Sequence, residues 1–339
     1  LSSGRLSFST EPSAALSDAK VLWVTFDTPV DDDDVADVKS VEDNIKSLIP
    51  FVEQGSRIII SSQVPVGFTR RIGEKTKQIC PDKTLHFAYS PENLRLGKAI
   101  RVFLEPDRIV VGTLPEEKAL FSPVFSSISD RLEWMSIESA EMTKHAINAF
   151  LAASICFANE IAVICEHVGA NAKEVERGLK TEGRIGQKAY LGPGVAFSGG
   201  TLARDIAFLS ELGADFNLPL HLIKSVKRSN DFHRDWIKSK CLEFLGVLKD
   251  KKVAVLGLTY KPDTDTLRRS LSVELCKWLK GQGVEVKAFD PAIRKTPDEL
   301  DKILRIGSNV KDVIDDADCV IVATEWQIFR ELDAETISA

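Results

Sequence analysis

Lys144 and Asn148 stand four residues apart in AEMTKHAINAFLA, the spacing that brings two side chains to one face of a helix. An ammonium beside an amide can steady a developing oxyanion if both are held in place before reaction. The flanking Ala146, Ile147 and Ala149 suit a partly buried pair, while the same spacing also fits a solvated ridge. A second set occurs in PGVAFSGGTLARD, residues 193–205, where Gly194, Gly199 and Gly200 lead to Thr201, Arg204 and Asp205. Glycine costs conformational entropy wherever the chain is ordered, so this cluster marks a tight turn or a backbone that approaches a ligand closely. Two readings stay open: a ligand loop that delivers a hydroxyl, a cation and a carboxylate, or a surface turn with a helix N-cap at Thr201. Glu92 follows Pro91 directly after an apolar run, and Pro65 and Gly67 bracket a stiff turn.

The chain that must position these groups has 339 residues, 44% hydrophobic and 28% charged, enough for two or three cores. A formal net charge of −6 argues against nucleic acid or an anionic membrane surface as the main partner, and leaves room for a local basic pocket. Apolar stretches such as SRIIISS and CVIVAT fall short of the roughly 20 residues of a membrane-spanning helix, so no span is expected. No basic segment followed by an apolar one opens the chain, so no secretory signal is expected. Cys80, Cys156, Cys165, Cys241, Cys276 and Cys319 show neither CxxC nor zinc spacing. That is the usage of reduced cytoplasmic proteins, with the thiols as small buried side chains. The run Asp31 to Asp34 reads as a solvated turn, because hard cations take carboxylates spaced to wrap around the ion; no metal site is expected.

The first third alternates strand-like and helix-like segments: KVLWVTF, VEDNIKSLIPFVEQG, RIIISS, TRRIGEKTKQIC and LHFAYS, then RIVVG and RLEWMS around PEEKALFSPVF. Strands apolar on both faces suit a parallel sheet covered on both sides by helices. From about Ile137 long helical patterns take over, with a break at Asn217 to Pro219 in a helical stretch from about Asp205 to Leu245. KKVAVLGLTY opens a second alternating block. The predicted fold is α/β, two Rossmann-like parallel-sheet domains (residues 1–136 and 248–339) joined by a central helical domain (137–247). Ligands of such sheets lie beyond the carboxyl ends of the strands, which draws attention to DTPV, SSQVPVG, AYSPENLRLGKA and GLTYKPDTDTLRRS.

The ordered blocks GRLSFST, SSQVPVG, YSPENLRLGKA, DRIVVGT, AEMTKHAINAFLA, NEIA, GRIG, PGVAFSGGTLARD, GLTYKPDTDTLRRS and VIVATEW make the chain, from about Gly4 to Phe329, resemble the UDP-glucose/GDP-mannose dehydrogenase family. The resemblance implies an N-terminal NAD-binding domain, a central dimerisation domain and a C-terminal nucleotide-sugar domain. It implies oxidation of a primary alcohol at C6 of a nucleotide sugar, a UDP-hexose above all, with NAD as acceptor, in a cytoplasmic homodimer. Carried onto this sequence, Lys144 and Asn148 stabilise oxyanions at C6, Asp205 holds a relay water and Glu92 acts as general acid/base. Arg184 reaches the neighbouring subunit's substrate, Tyr190, Phe197 and Gly199 shape the sugar and diphosphate pocket, and Lys261 faces the sugar hydroxyls. Thr28, Gln63, Arg204 and Arg268 fall at positions that contact NAD.

The sequence departs from the family pattern at the nucleophile. Where the family's loop reads like FGGSCFPKD with a covalent cysteine, this chain has Thr201, with Ser198, Ala203 and Arg204 also changed. Gln63 replaces a threonine, Leu96 replaces an acid, and the family's GxGYVG diphosphate loop does not occur, so weak NAD retention is expected. A threonine hydroxyl lacks the thiolate's nucleophilicity. The alternatives to full oxidation are therefore a reaction that stops at the aldehyde, oxidation of the hydrated aldehyde, epimerisation with bound NAD, or a sugar-nucleotide binder without catalysis.

Overall fold

Apolar runs bounded by turn residues become the strands of two sheets in the computed structural model, which describes residues 6–31, 35–92, 94, 97–198, 200–295, 297–333 and 337. The chain forms two compact units, Leu1–Asn148 with Ala207–Leu212, and Ala149–Ile206 with Gly213–Ala339.

In the first unit α1 (Pro12–Leu16) precedes β1 (Val21–Val24), α2 (Val38–Leu48), β2 (Arg57–Ile60), α3 (Phe68–Ile79), β3 (His86–Tyr89), α4 (Ala99–Leu104), β4 (Ile109–Gly112), α5 (Lys118–Ser126), β5 (Leu132–Met135) and the start of α6 (Ile137–Val168). The strands lie in the order β1-β2-β3-β4-β5. Alternate residues of a strand point to opposite faces. Ile58 and Ile60 accordingly pack with Val41 and Ile45 of α2 and Phe68 and Ile72 of α3, while Ile59 packs with Phe121 and Phe125 of α5. Each such side chain contributes about 2 kcal/mol by leaving water.

Strands β1, β2 and β3 are mutually parallel, and β5 is parallel to β4, but β4 runs antiparallel to β3. The expectation of a uniformly parallel sheet fails there for a physical reason. A parallel return needs a crossover helix laid on the sheet, and α4 buries none of its residues. Gly112 ends β4 under α6: a Cβ there would lie 2.6 Å from the Ala140 Cβ and 2.9 Å from the Ile137 Cα, so only glycine allows that approach.

The second unit holds the rest of α6, then α7 (Ala172–Thr181), α8 (Gly200–Asp215) apart from its residues Ala207–Leu212, α9 (His221–Arg234) and α10 (Trp236–Leu245). It continues with β6 (Lys252–Leu256), α11 (Leu271–Gly281), β7 (Glu285–Phe289), α12 (Asp298–Asp301), β8 (Arg305–Ile306), α13 (Val310–Ile314), β9 (Cys319–Val322) and α14 (Gln327–Arg330). Helix α8 starts at Gly200, so Thr201 lies inside its first turn instead of capping it, and the helix opens five residues ahead of Asp205, where periodicity placed the start. Asn217, left-handed at φ 55°, and Pro219 separate α8 from α9. Helix α6 is, by length and composition, apolar enough to cross a membrane, contrary to the expectation from the short apolar runs. Its buried side carries Glu141, Lys144, His145, Asn148, Ser154 and Asn159, the mark of a helix packed in protein.

The second sheet is fully parallel in the order β8-β7-β6-β9. Val253 and Val255 face Leu275, Cys276 and Leu279 of α11, and Ala254 and Leu256 face Val313 and Phe329. The strand order reverses between β6 and β9, and in such sheets the loops leaving those two strands diverge to open a crevice.

Candidate active site

On α6 the buried ammonium of Lys144, 6% exposed, donates to the Glu92 carbonyl at 2.6 Å and lies 3.9 Å from the Glu92 carboxylate. The Glu92 carboxylate, about half exposed, also accepts the Leu94 N–H at 2.6 Å. Asn148, one turn on, is equally buried. The fixed cation thus meets the loop after β3, an arrangement suited to stabilising negative charge that develops on a ligand oxygen.

Two more α6 residues hold the neighbouring loop after β2. The His145 Nε2 bonds the Val64 carbonyl at 2.9 Å, with the ring edge-on to Phe208. Glu141 takes the backbone N–H groups of Gly67 and Thr69. Thr28, after β1, donates to the Gln63 carbonyl at 2.7 Å, and Ser62 donates to the Phe26 carbonyl at 2.7 Å. Thr28 and Gln63, both buried, therefore form a polar rim at the carboxyl end of the first sheet, where a dinucleotide lies in folds of this kind.

In the second unit, a cavity of about 1050 Å³ opens at the β6/β9 crevice. Tyr190, Phe197 and Lys261 all line it, with Tyr260, Thr324 and the rest of the Gly192–Ser198 segment. Five cations (Lys173, Lys180, Lys240, Lys261, Arg330) face three carboxylates (Glu166, Glu176, Glu325) in its wall, a balance that favours an anionic ligand. The size suits a nucleotide-sized molecule.

Buried polar side chains fix both loops of this cavity. Asn159 of α6 accepts the Gly194 N–H at 2.9 Å and donates to the Val195 carbonyl at 3.5 Å. Asn230 of α9 accepts the Phe197 N–H and donates to its carbonyl, both at 2.9 Å. His233 bonds the Gly194 carbonyl at 2.8 Å. Tyr260 donates its phenol to the Ser198 carbonyl at 3.0 Å; burial, with Tyr190 adding, raises the phenol above its ordinary range and so keeps that proton in place. Beneath Tyr260 and Lys261, the Asp290 carboxylate gathers the Leu258 and Thr259 N–H groups, the Thr259 hydroxyl and the Trp326 indole. At Gly257, φ 96°, a Cβ would meet the Thr324 Cβ at 2.4 Å, so the loop leaves β6 through a position open only to glycine.

Arg204 and Asp205 are buried in the first turns of α8, while Thr201 is exposed and does not line the cavity. Arg184 is exposed and ion-paired with Glu182 at 2.9 Å, and Arg268 is exposed. Gly199 and Leu96, and Asp32 to Asp34 of the acidic run, lie outside the described residues. Sequence reasoning missed Glu141, His145, Asn230, His233, Tyr260 and Asp290. The one available signal was on α9, where the buried stripe Val226, Asn230, His233 sets polar residues at positions that periodicity reserves for apolar ones.

Three family models tile the chain: the NAD binding domain of the UDP-glucose/GDP-mannose dehydrogenase family over residues 1–129, its central domain over 138–232 and its UDP binding domain over 254–339. The chain belongs to the UDP-glucose/GDP-mannose dehydrogenase family. Similar proteins include a UDP-glucose 6-dehydrogenase of Rickettsia typhi, 33% identical over 344 residues (99% of this chain, 79% of the relative), and UDP-glucose 6-dehydrogenase YwqF of Bacillus subtilis, 31% identical over 331 residues (97% and 75%). A UDP-glucose dehydrogenase from Pyrobaculum islandicum superposes with a TM-score of 0.89 at 30% identity, over 98% of this chain and 78% of that one. As a member of this dehydrogenase family the chain is an NAD-dependent oxidoreductase of nucleotide sugars, and the β6/β9 crevice lies in its UDP binding domain.

Proposed function

We propose that the protein oxidises the C6 hydroxyl of a UDP-hexose, UDP-glucose first among candidates. The observation that carries this reading is the cavity beside the loops that leave β6 and β9, lined by Tyr190, Phe197 and Lys261 under a surplus of cations. Lys261 and the cationic wall bind the diphosphate and sugar, with Phe197 and Tyr190 packing on the ligand. Lys144 and Asn148 stabilise the C6 alkoxide, Asp205 orients the water that takes its proton, and Glu92 acts as general acid/base. Thr28 and Gln63, with Arg204 and Arg268, hold NAD, which supplies the hydride acceptor when bound; the polar rim that Thr28 and Gln63 form in the first unit fits that role. Arg184 serves the substrate of a second subunit.

With Thr201 at the loop's nucleophile position, the two-electron step to the aldehyde is the reaction the residues support, and covalent capture of the aldehyde is not. Of the cysteines that line the cavity, Cys241 is pushed up by burial to about 11 and Cys319 is raised by burial too, so neither offers a ready thiolate. The working form is a cytoplasmic homodimer with domains at 1–136, 137–247 and 248–339. Phe150, Phe157 and Ile164 stand exposed at seven-residue intervals along α6, with Val168 one turn beyond, a stripe that a second copy covers.

The deciding experiment incubates the protein with NAD and UDP-glucose, UDP-galactose, UDP-N-acetylmannosamine or GDP-mannose, and follows NADH absorbance and the sugar product. Aldehyde with little acid is expected from one UDP-hexose, and Thr201→Cys shifts the product toward acid. Tight binding with neither NADH nor an altered sugar sinks the reading in favour of a binder.

A further inference from the structure

We propose that Asn230, helped by Asn159 and His233, is the positioning residue that holds Gly194–Ser198 in its ligand-binding shape. The proposal rests on the nucleotide-sugar reading of the cavity that this segment lines. Residues 193–198 belong to no helix or strand, so their backbone groups have no ladder partner and must be satisfied elsewhere. The Asn230 amide meets both groups of Phe197, one N–H and one carbonyl at 2.9 Å each, as a neighbouring strand would. Asn159 does the same across Gly194 and Val195, and the His233 ring, stacked on Trp236 at 5.8 Å and 17°, delivers an N–H to the Gly194 carbonyl.

All three side chains are buried. Burying two amides and an imidazole is costly unless they are bonded, and here the hydrogen bonds of all three go to the backbone of this one segment. Asn230 is the centre because it fixes both backbone groups of Phe197, a residue that lines the cavity. It acts through Phe197 and need not touch the ligand. Leucine at 230 keeps the volume and removes both hydrogen bonds; aspartate keeps only the acceptor.

The test compares Asn230→Leu with Asn309→Ala, which removes an exposed cap of α13 in the same unit. Calorimetry with UDP-glucose reads affinity, thermal denaturation reads stability, and hydrogen exchange reads the Phe197 amide. Both variants are expected to lose some stability. Only N230L is expected to weaken UDP-glucose binding, by about tenfold, the scale of a lost hydrogen-bond pair, and to speed exchange at Phe197. Should N230L not fold, Asn230→Ser carries the same comparison. Unchanged affinity in N230L, or an equal loss in N309A, overturns the proposal. If the unaltered protein binds no UDP-sugar, the substrate reading is what fails; the Phe197 exchange rate then decides, and equal rates in N230L and the unaltered protein overturn the positioning role.

Discussion

The Glu141 carboxylate accepts the Thr69 N–H at 2.9 Å, together with the Gly67 N–H, so α3 receives its N-terminal cap from α6 and not from its own sequence. Gly67 at the N-cap, φ 85°, has no side chain to offer. An ionised carboxylate there suits the positive end of the α3 dipole. Burial is nonetheless the larger influence and raises the Glu141 carboxyl above the ordinary glutamate range, with the amides pulling the other way. The native state therefore binds this proton more tightly than the unfolded state. The stability it confers is complete below the ordinary glutamate range and is lost as pH rises through the raised native value. Melting temperatures across that interval should fall more steeply with pH in the unaltered protein than in Glu141→Gln; parallel curves would clear Glu141. Glu141→Leu, which orphans both amides, should cost about 2 kcal/mol at neutral pH by urea denaturation.

Asp290 plays the corresponding part in the second unit. One oxygen gathers Leu258, Thr259 and Trp326, and the other takes the Ala292 N–H at 2.9 Å. Those contacts join the loops that leave β6, β7 and β9. Asp290→Ala should cost about 3 kcal/mol or more, because several buried donors lose their acceptor together. The Trp326 indole gives a fluorescence signal for the local change, and UDP-glucose affinity should fall with it. A stable variant that binds normally would show that the Tyr260–Lys261 loop holds its shape without this anchor.

How far the sequence could be read follows from which interactions are local. Ile58 to Ile60 were legible as a doubly buried strand because an unbroken apolar run has few other uses. Lys144 and Asn148 were legible as one face because helix spacing alone sets it. The reversed direction of β4 was not, since it depends on α4 failing to pack on the sheet. Nor were Glu141, Asn230 and Asp290, whose partners, Ala292 aside, lie 31 to 74 residues away. A buried polar residue bonded to distant backbone looks, in sequence, like any solvated one.

The thiols offer a check on packing. Cys156, Cys165, Cys241 and Cys276 are buried, and Cys80 and Cys319 are partly exposed. Burial raises Cys241 to about 11 and Cys276 to about 12, and raises Cys156 and Cys319 as well. The thiolate is the reactive form. An aromatic disulfide reagent at neutral pH should label Cys80 first and Cys319 slowly in the native protein, with the other four reacting only after denaturation. Rapid native labelling of Cys276 would contradict its place on the face of α11 that packs on the second sheet.

Lys144→Met separates binding from chemistry. The ammonium is almost wholly buried, bonded to the Glu92 carbonyl at 2.6 Å, on a helix whose neighbouring Glu141 and His145 clamp the loop after β2. Methionine keeps most of the stem and removes the charge. If Lys144 stabilises an alkoxide, its interaction strengthens in the transition state and shows in turnover more than in affinity. NADH formation should drop by roughly 10²- to 10³-fold, with calorimetric UDP-glucose affinity little changed. A variant that loses affinity in proportion to rate would place the ammonium on the bound substrate instead, and one that loses neither would remove it from the chemistry.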